Sequence, residues 1–180
     1  MVAAALALAT AAARDEPGAH DFAQSLTRRY AILAAVQGKL LDLSSKTTLR
    51  QILTEIGESV AMFGRTVAIA EIPDAQIGED AARAIALILG ELATNSIKHG
   101  AMNVGGSVSI TSAKTRDELV IDWHETKLGA PNMPRPSGNG SGLALMKRMA
   151  SSLNGSFTYD WTASGLSARL SLPYTPAVEM

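Results

Sequence analysis

The 180-residue sequence contains no cysteine, which excludes a disulfide framework and a thiolate metal site. A reducing cytoplasm is the compartment that fits such a composition. Only three histidines are present, and their scattered positions do not form a zinc-binding constellation. Positive and negative charges nearly cancel, with 16 Lys and Arg against 17 Asp and Glu. No basic stripe therefore indicates a nucleic-acid partner.

The sequence also lacks a long apolar run. Residues 1–13 are almost entirely Ala, Leu and Val, but a bilayer-spanning helix takes about 20 apolar residues. No Lys or Arg precedes this run, as one would in a signal peptide, and Arg14 follows it directly. We therefore expect no membrane segment in this chain. Because alanine is the best helix former, residues 1–13 are predicted to be helical.

The first quarter of the chain is predicted to be a helical hairpin. Pro17 and Gly18 break the first helix, and apolar residues at spacings of three and four predict a second helix from Asp21 to about Leu43. An isolated pair of helices would be marginal, whereas two copies would form a four-helix bundle. We therefore divide the chain into a partial dimerisation segment, residues 1–45, and a second domain, residues 46–180.

Residues 46–180 are predicted to form an α/β (α+β) domain, in which helices pack on one face of a mixed sheet. Apolar residues in the second half alternate with polar ones, which is typical of strands with one buried face. The predicted helices are Leu49–Phe63, a helix that ends at Gly100, and Leu143–Leu153. The predicted strands are Thr66–Ile72, Ser107–Thr111, Glu118–His124, Ser156–Trp161 and Leu166–Leu172. Ser44–Thr48 is predicted to be a hinge, and Asp74–Asp80 and Thr126–Asn139 are predicted to be loops.

The helix that ends at Gly100 carries a row of polar side chains. Glu91, Asn95 and Lys98 are spaced four and three residues apart, so they share one helix face. An amide oxygen is a suitable ligand for Mg²⁺, and a lysine can contact a phosphate. A carboxylate one turn earlier can orient or deprotonate a nucleophile. The pattern suits a magnesium–triphosphate, although an amphipathic helix with a solvated polar face would also produce it.

Two further segments suit the same ligand. The glycine-rich stretch Ser137–Gly142 leads directly into a predicted helix, and backbone amides at a helix N-terminus favour a phosphate. Glu125 follows a strand, where its carboxylate can accept a hydrogen bond from an adenine amino group. Trp123 is expected in the core and His124 on the surface.

Four segments in a fixed order resemble one known family. They are ELATNSIKHGA (residues 91–101), WHET with the later GAP (123–131), GNGSGLALMKRMASSLNGS (138–156) and GLSARLSLP (165–173). Together they resemble the ATP-binding domain of sensor histidine kinases, within the Bergerat-fold (GHKL) ATPase superfamily. The Trp-x-Glu pair and the GAP are similar to the HWE subfamily, although Gly90 stands where that subfamily has histidine. The resemblance covers about residues 45 to 173 and implies a Bergerat-type two-layer sandwich.

The resemblance implies a role for individual residues. Asn95 would hold Mg²⁺ against the phosphates, Glu91 would be the general base or an orienting group, and Lys98 would contact phosphate. Glu125 would bind the adenine, and residues 126–137 would be the ATP lid. The remaining ATP-binding residues would lie where the lid begins and in the closing phosphate loop: Gly129, Gly138, Gly140, Gly142 and Leu143.

Two alignments of the N-terminal region place the phosphoacceptor differently. In one, residues 19–22 resemble a phosphoacceptor box, and His20 is the nucleophile. In the other, Asp21 to Leu41 resembles the second dimerisation helix, and the acceptor histidine precedes Met1. The second alignment explains the short Ala-rich first arm better, and His20 would then be a loop residue.

The resemblance therefore implies a cytoplasmic histidine kinase core that uses ATP and Mg²⁺. Its partners would be a response-regulator receiver domain and a second copy of the chain, bound through the N-terminal helices. An anti-sigma factor of the same superfamily, which phosphorylates a serine, is one alternative. A non-catalytic phosphotransfer or scaffold protein with the same fold is the other.

Overall fold

A computed structural model of the protein describes residues 47–127, 141–162 and 164–174. The predicted helical hairpin of residues 1–45 and His20 lie outside the described residues. So do three of the predicted glycines, namely Gly129, Gly138 and Gly140. The division of the chain at residue 45 stays a prediction.

The described residues contain three α-helices, one 3-10 helix and seven strands. The helices are α1 (Leu49–Ala61), α2 (Glu79–Lys98), the 3-10 helix (Ala101–Val104) and α3 (Ser141–Ser152). The strands are β1 (Thr47–Thr48), β2 (Val67–Ile69), β3 (Gln76–Ile77), β4 (Ser107–Lys114), β5 (Glu118–Thr126), β6 (Ser156–Thr162) and β7 (Gly165–Pro173).

Five of these strands form a mixed sheet in the order β2-β4-β5-β7-β6. β2 pairs with β4 in parallel, whereas β4–β5, β5–β7 and β7–β6 are antiparallel pairs. The register aligns buried residues across the sheet: Trp123 is opposite both Ile110 and Ala168. Since strand residues alternate between faces, this register places one apolar row on one face of the sheet.

The three α-helices cover that apolar face. α2 contacts both α1 and α3, α1 contacts β2, and α3 contacts β6 and β7. The core joins apolar side chains of all three helices to those of the sheet, including Ile56, Leu89, Met146 and Leu170. The prediction of a mixed sheet with helices packed on one face is therefore confirmed.

Local sequence explains where two of the helices begin and end. The Thr48 hydroxyl accepts a hydrogen bond from the Gln51 amide at 3.3 Å, and the Gln51 side chain accepts one from the Thr48 amide at 2.8 Å. This reciprocal capping box fixes the start of α1. In α2, Glu79 and Asp80 lie in the first turn and Lys98 in the last, which complements the helix dipole.

The structure corrects some predicted boundaries. The strand predicted at Thr66–Ile72 is only Val67–Ile69, and the loop predicted at Asp74–Asp80 contains β3 and the start of α2. In the predicted hinge, Thr48 pairs with Gln76 and caps α1. Two-residue strands are too short to show any periodicity, so their pairing could not be predicted from the sequence.

Candidate functional site

The polar row predicted on α2 is present. Glu91, Asn95 and Lys98 are half-buried and occur at helical spacing within α2. A second face of α2 consists of residues that are all buried: Ile85, Ile88, Leu89, Leu92 and Ser96. α2 is therefore anchored by one face, and its polar row is partly accessible to a ligand.

The N-terminus of α3 lies against this polar row. A Cβ added to Gly142 would be only 2.6 Å from Oε1 of Glu91 and 3.4 Å from its Cδ. Since real Cβ atoms do not approach other atoms so closely, glycine is the residue that allows this approach. The structure thus brings Glu91 together with one glycine of the predicted phosphate loop. The partial positive charge of a helix N-terminus favours the carboxylate there, as it would favour a phosphate.

At its other end, α2 turns tightly into the 3-10 helix. The Asn95 carbonyl accepts hydrogen bonds from the amides of His99 at 2.8 Å and Gly100 at 3.0 Å. The Ser96 hydroxyl accepts one from the Met102 amide at 3.4 Å. These bonds fix the backbone that carries Asn95. They also hold the amide of Ala101 in a defined position beyond the helix.

Glu125 meets this turn from the sheet. It lies within β5 and is 4% exposed, so it is neither a loop residue nor solvated. Its Oε2 accepts a hydrogen bond from the Ala101 amide at 2.8 Å, and its Oε1 accepts one from Nε1 of Trp123 at 3.3 Å. A carboxylate has about four acceptor positions, so acceptor capacity remains for a ligand donor.

Two glycines make room for Glu125. A Cβ on Gly100 would collide with its Oε2 and would lie 2.6 Å from the Cα of Ser96. Gly165, with a φ of +146°, lies so close that a Cβ would be 2.6 Å from the Glu125 carbonyl oxygen. Glu125 therefore lies in a close-fitting pocket between the end of α2 and β7.

Gly100, Ala101 and Trp123 are site residues that the sequence does not reveal directly. The sequence predicts Gly100 only as the end of a helix and Trp123 only as core. A signal did exist for Trp123, because residues two apart on a strand share one face and the indole N–H of a buried tryptophan usually has a partner. Gly100 and Ala101 approach Glu125 from 24 or 25 residues away, which periodicity does not reveal.

The remaining predicted residues in the described ranges lie nearby or on the surface. Leu143 is half-buried in α3, one residue after Gly142, and packs against the core. His99, the residue that follows α2, is exposed. His124 is exposed as predicted, and its Nδ1 is 3.1 Å from the Ser167 hydroxyl.

One buried hydroxyl in α2 has no hydrogen-bond partner among the described residues. Thr94 is 3% exposed, and its Oγ1 makes no hydrogen bond in the described part of the chain. It lies one turn after Glu91 and one turn before Lys98, next to the polar row. A buried unsatisfied hydroxyl destabilises the fold, so Thr94 is expected to lower the free energy of unfolding.

The donor chemistry of the polar row fits a magnesium–nucleotide. Asn95 and Glu91 offer oxygen atoms, which Mg²⁺ prefers, and Lys98 offers a cation for phosphate. Among residues 47–127, 141–162 and 164–174, no group of three His, Asp or Glu side chains could hold a metal ion by itself. Mg²⁺ usually keeps several waters and binds through one or two protein ligands plus substrate phosphates, so the row is sufficient.

The opposite face of the sheet carries a separate, open groove of about 330 Å³. Asp122 and Arg169 line it and form a two-point ion pair, with N–O distances of 2.7 and 3.1 Å. This pairing raises the pKa of Arg169, through the hydrogen bond first and the charge of Asp122 second. Neither the polar row nor Glu125 lines this groove.

None of the described helices is long and apolar enough to span a bilayer.

Comparison with known proteins places this geometry in a family. Residues 80–176 match the family model described as "Histidine kinase-, DNA gyrase B-, and HSP90-like ATPase". The chain is 34% identical over 105 residues to blue-light-activated histidine kinase 1 of Erythrobacter litoralis, which covers 56% of this chain and 29% of that protein. It is 32% identical over 155 residues to a blue-light-activated histidine kinase of Rhizobium johnstonii, which covers 83% of this chain and 41% of that protein. The chain thus spans less than half the length of either relative.

Solved structures show the same fold. The histidine kinase domain of the Erythrobacter litoralis EL346 blue-light-activated kinase superposes with a TM-score of 0.64 at 16% identity, covering 86% of this chain and 81% of that one. The ATP-binding domain of PrrB from Mycobacterium tuberculosis superposes with a TM-score of 0.56 at 19% identity, covering 72% and 96%. The predicted two-layer α/β sandwich of the Bergerat type is therefore confirmed.

Proposed function

Because the chain belongs to the family of histidine kinase-, DNA gyrase B- and HSP90-like ATPases, we propose that it binds Mg-ATP between α2, α3 and β5 and transfers the γ-phosphoryl group to a histidine. The observation that carries this proposal is the contact of Glu91 with Gly142. It unites the polar row of α2 with the N-terminus of α3, where a triphosphate would be neutralised from two sides.

Each residue has a defined role in the proposal. Asn95 supplies an oxygen to Mg²⁺, Lys98 neutralises phosphate charge, and Glu125 accepts a hydrogen bond from the adenine amino group. Gly142 and Leu143 bring the start of α3 to the phosphates. The other glycines that the resemblance assigns to the ATP site, Gly129, Gly138 and Gly140, lie outside the described residues. When held by Asn95, Mg²⁺ would supply charge compensation for the phosphate oxygens.

The chemistry follows from this placement. A histidine nitrogen attacks the γ-phosphorus, the bond from that phosphorus to the bridging oxygen breaks, and ADP leaves. Glu91, on the half-buried face of α2, orients the attacking imidazole or accepts its proton. Positioning and electrostatic stabilisation supply most of the catalysis in phosphoryl transfer, and these residues provide both.

The acceptor and the partners belong to the same proposal. The acceptor histidine is His20 or a histidine outside these 180 residues, and the phosphoryl group then passes to an aspartate of a response-regulator receiver domain. A second copy of the chain would bind through residues 1–45. A cytoplasmic location rests on the resemblance to histidine kinase cores.

The experiment is to incubate the purified chain with Mg²⁺ and γ-labelled ATP, and to test whether any protein-bound label survives acid and base. Label that is lost in acid and kept in base supports a phosphohistidine within the chain, and its loss in His20→Gln identifies His20. Label that is stable in acid would instead support a serine kinase. ATP binding without label would mean that the acceptor lies outside this chain. Failure to bind Mg-ATP would contradict the proposal and favour a non-catalytic protein of the same fold.

A further inference from the structure

Trp123 and Glu125 form a buried pair at the end of β5. The indole of Trp123 is 1% exposed, and its N–H points at the Glu125 carboxylate two residues later on the same face of the strand. The opposite oxygen of that carboxylate is held by the Ala101 amide. The two donors come from different elements, one from the sheet and one from the turn after α2. Together they fix the plane of the carboxylate.

We infer that Trp123 is a positioning residue for recognition of the nucleotide base. It holds the Glu125 carboxylate in the orientation that accepts a hydrogen bond from the exocyclic amine of adenine. The inference rests on the proposed function, in which Glu125 binds the base. It adds that base selectivity depends on a side chain that does not itself contact the nucleotide.

A glutamate side chain is intrinsically flexible. Its carboxylate turns about three side-chain bonds, and fixing it costs rotamer entropy that a ligand would otherwise have to offset. Trp123 and Ala101 restrict that freedom before any nucleotide arrives. Gly100 completes the pocket, since any side chain there would collide with Oε2 of Glu125.

Selectivity follows from the type of group that is held. An ionised carboxylate only accepts hydrogen bonds, so it can pair with an amino group, whereas it repels a carbonyl oxygen. Adenine presents an amino group at position 6, whereas hypoxanthine presents a carbonyl oxygen there. A fixed carboxylate therefore rejects the inosine nucleotide, because it cannot turn away from the mismatched oxygen. A carboxylate freed from Trp123 can turn away, so discrimination falls.

The chain provides a matched control, because it contains two tryptophans. Trp161 lies on β6, is half-buried and packs against the same core. Trp123→Phe and Trp161→Phe therefore make the same chemical change, but only Trp123→Phe removes a donor to Glu125. Binding of Mg-ATP and Mg-ITP to the full chain and to both variants is measured by calorimetry, and thermal unfolding is recorded in parallel.

We expect the unmodified chain to bind ATP more tightly than ITP. Trp123→Phe should lower the ratio of the two affinities by about tenfold, mainly through weaker ATP binding, because a hydrogen bond to a charged group is lost. Trp161→Phe should leave that ratio unchanged. Parallel loss of both affinities in Trp123→Phe, with the ratio preserved, would show that Trp123 acts only in packing and would overturn the inference.

A second measurement does not require Trp123→Phe to fold. Trp161→Phe leaves Trp123 as the single tryptophan, so its fluorescence reports on the indole beside Glu125. Saturating ATP should change that emission more than saturating ITP does, and an identical response to both would overturn the inference. If the unmodified chain transfers label from ATP but binds ATP and ITP equally, base reading by Glu125 and this inference both fail, while the proposed phosphoryl transfer stands.

Discussion

Glu91 and Glu125 are the two carboxylates of the proposed site, and each lies against a glycine. Glu91 approaches Gly142 from a half-buried helix face. Glu125 approaches Gly100 from a strand, is 4% exposed and accepts hydrogen bonds from Ala101 and Trp123. The same residue type thus occupies two kinds of environment. The buried carboxylate with two fixed donors suits recognition, whereas the accessible carboxylate beside a helix N-terminus suits chemistry.

The comparison predicts opposite consequences for stability and for activity. Removing Glu125 leaves two buried donors without a partner, so stability should fall. Removing Glu91 empties a half-buried position, so activity should fall while the fold persists.

Glu125→Ala should lower the free energy of unfolding by about 3 kcal/mol, because the Ala101 amide and the Trp123 indole are both left unsatisfied. Glu91→Ala should lower it by less than about 1 kcal/mol. Urea denaturation of both variants measures the two values. Similar losses for the two variants would contradict the assigned difference between the carboxylates.

Glu91→Gln should slow phosphoryl transfer by about 100-fold, because an amide cannot accept the proton that a general base removes. Affinity for Mg-ATP should change little, since Gln has nearly the same shape. Single-turnover labelling of the substrate histidine, at saturating Mg-ATP, measures the rate. A rate within threefold of the unmodified chain's, by that order-of-magnitude expectation, would limit Glu91 to a structural role.

Gly100→Ala should lower the free energy of unfolding by about 2 kcal/mol, since the new methyl would meet backbone at Ser96 as well as Glu125. Gly142→Ala should change it by less than about 0.5 kcal/mol, because the three atoms nearest to the new methyl all belong to the flexible side chain of Glu91. Gly142→Ala should nevertheless weaken Mg-ATP binding by displacing that carboxylate. Denaturation and calorimetry on the same pair of variants separate the two effects, and equal stability losses would show that the two glycines are equivalent.

Thr94→Val should raise the free energy of unfolding by about 1 kcal/mol, because it removes a buried hydroxyl that has no partner among the described residues. The shapes of the two side chains are nearly identical, so packing should be retained. Thermal unfolding without nucleotide measures the change. A lower melting temperature for the variant would mean that the hydroxyl has a stabilising partner.

The ion pair on the opposite face should contribute no pH dependence near neutrality. Asp122 raises the pKa of Arg169, so any stability from this shift is fully present below the pKa of an unfolded arginine. It is lost only as the pH rises through the still higher folded value. Asp122→Asn should therefore leave the slope of stability against pH unchanged between about pH 7 and 9. A steeper slope in the variant would contradict this assignment.

The sequence predicted those features that depend on local periodicity. The shared face of Glu91, Asn95 and Lys98 follows from helical spacing, and the buried rows of β4, β5 and β7 follow from alternation. The strand end and the glycine-rich stretch indicated Glu125 and Gly142, and the resemblance then implied a role for each.

The sequence could not predict how distant segments meet. Gly142 and Glu91 lie close together although they are 51 positions apart in the sequence. The hydrogen bond from the Ala101 amide to Glu125 depends on the turn that follows α2. β1 and β3 are two-residue strands that pair with each other, so neither shows a periodic pattern of its own. Such contacts depend on tertiary packing, which overrides local propensity.

α2 determines the distance between the two carboxylates, Glu91 and Glu125. Glu91 faces α3 on this helix, Lys98 ends it, and the turn fixed to Glu125 follows within three residues. Seven residues of α-helix span about 10 Å, with little freedom to stretch. Under the proposed function, α2 therefore holds the groups that bind the phosphates and the groups that bind the base at a fixed separation. Inserting one residue into α2 would lengthen the helix by about 1.5 Å and rotate one end relative to the other by about 100°.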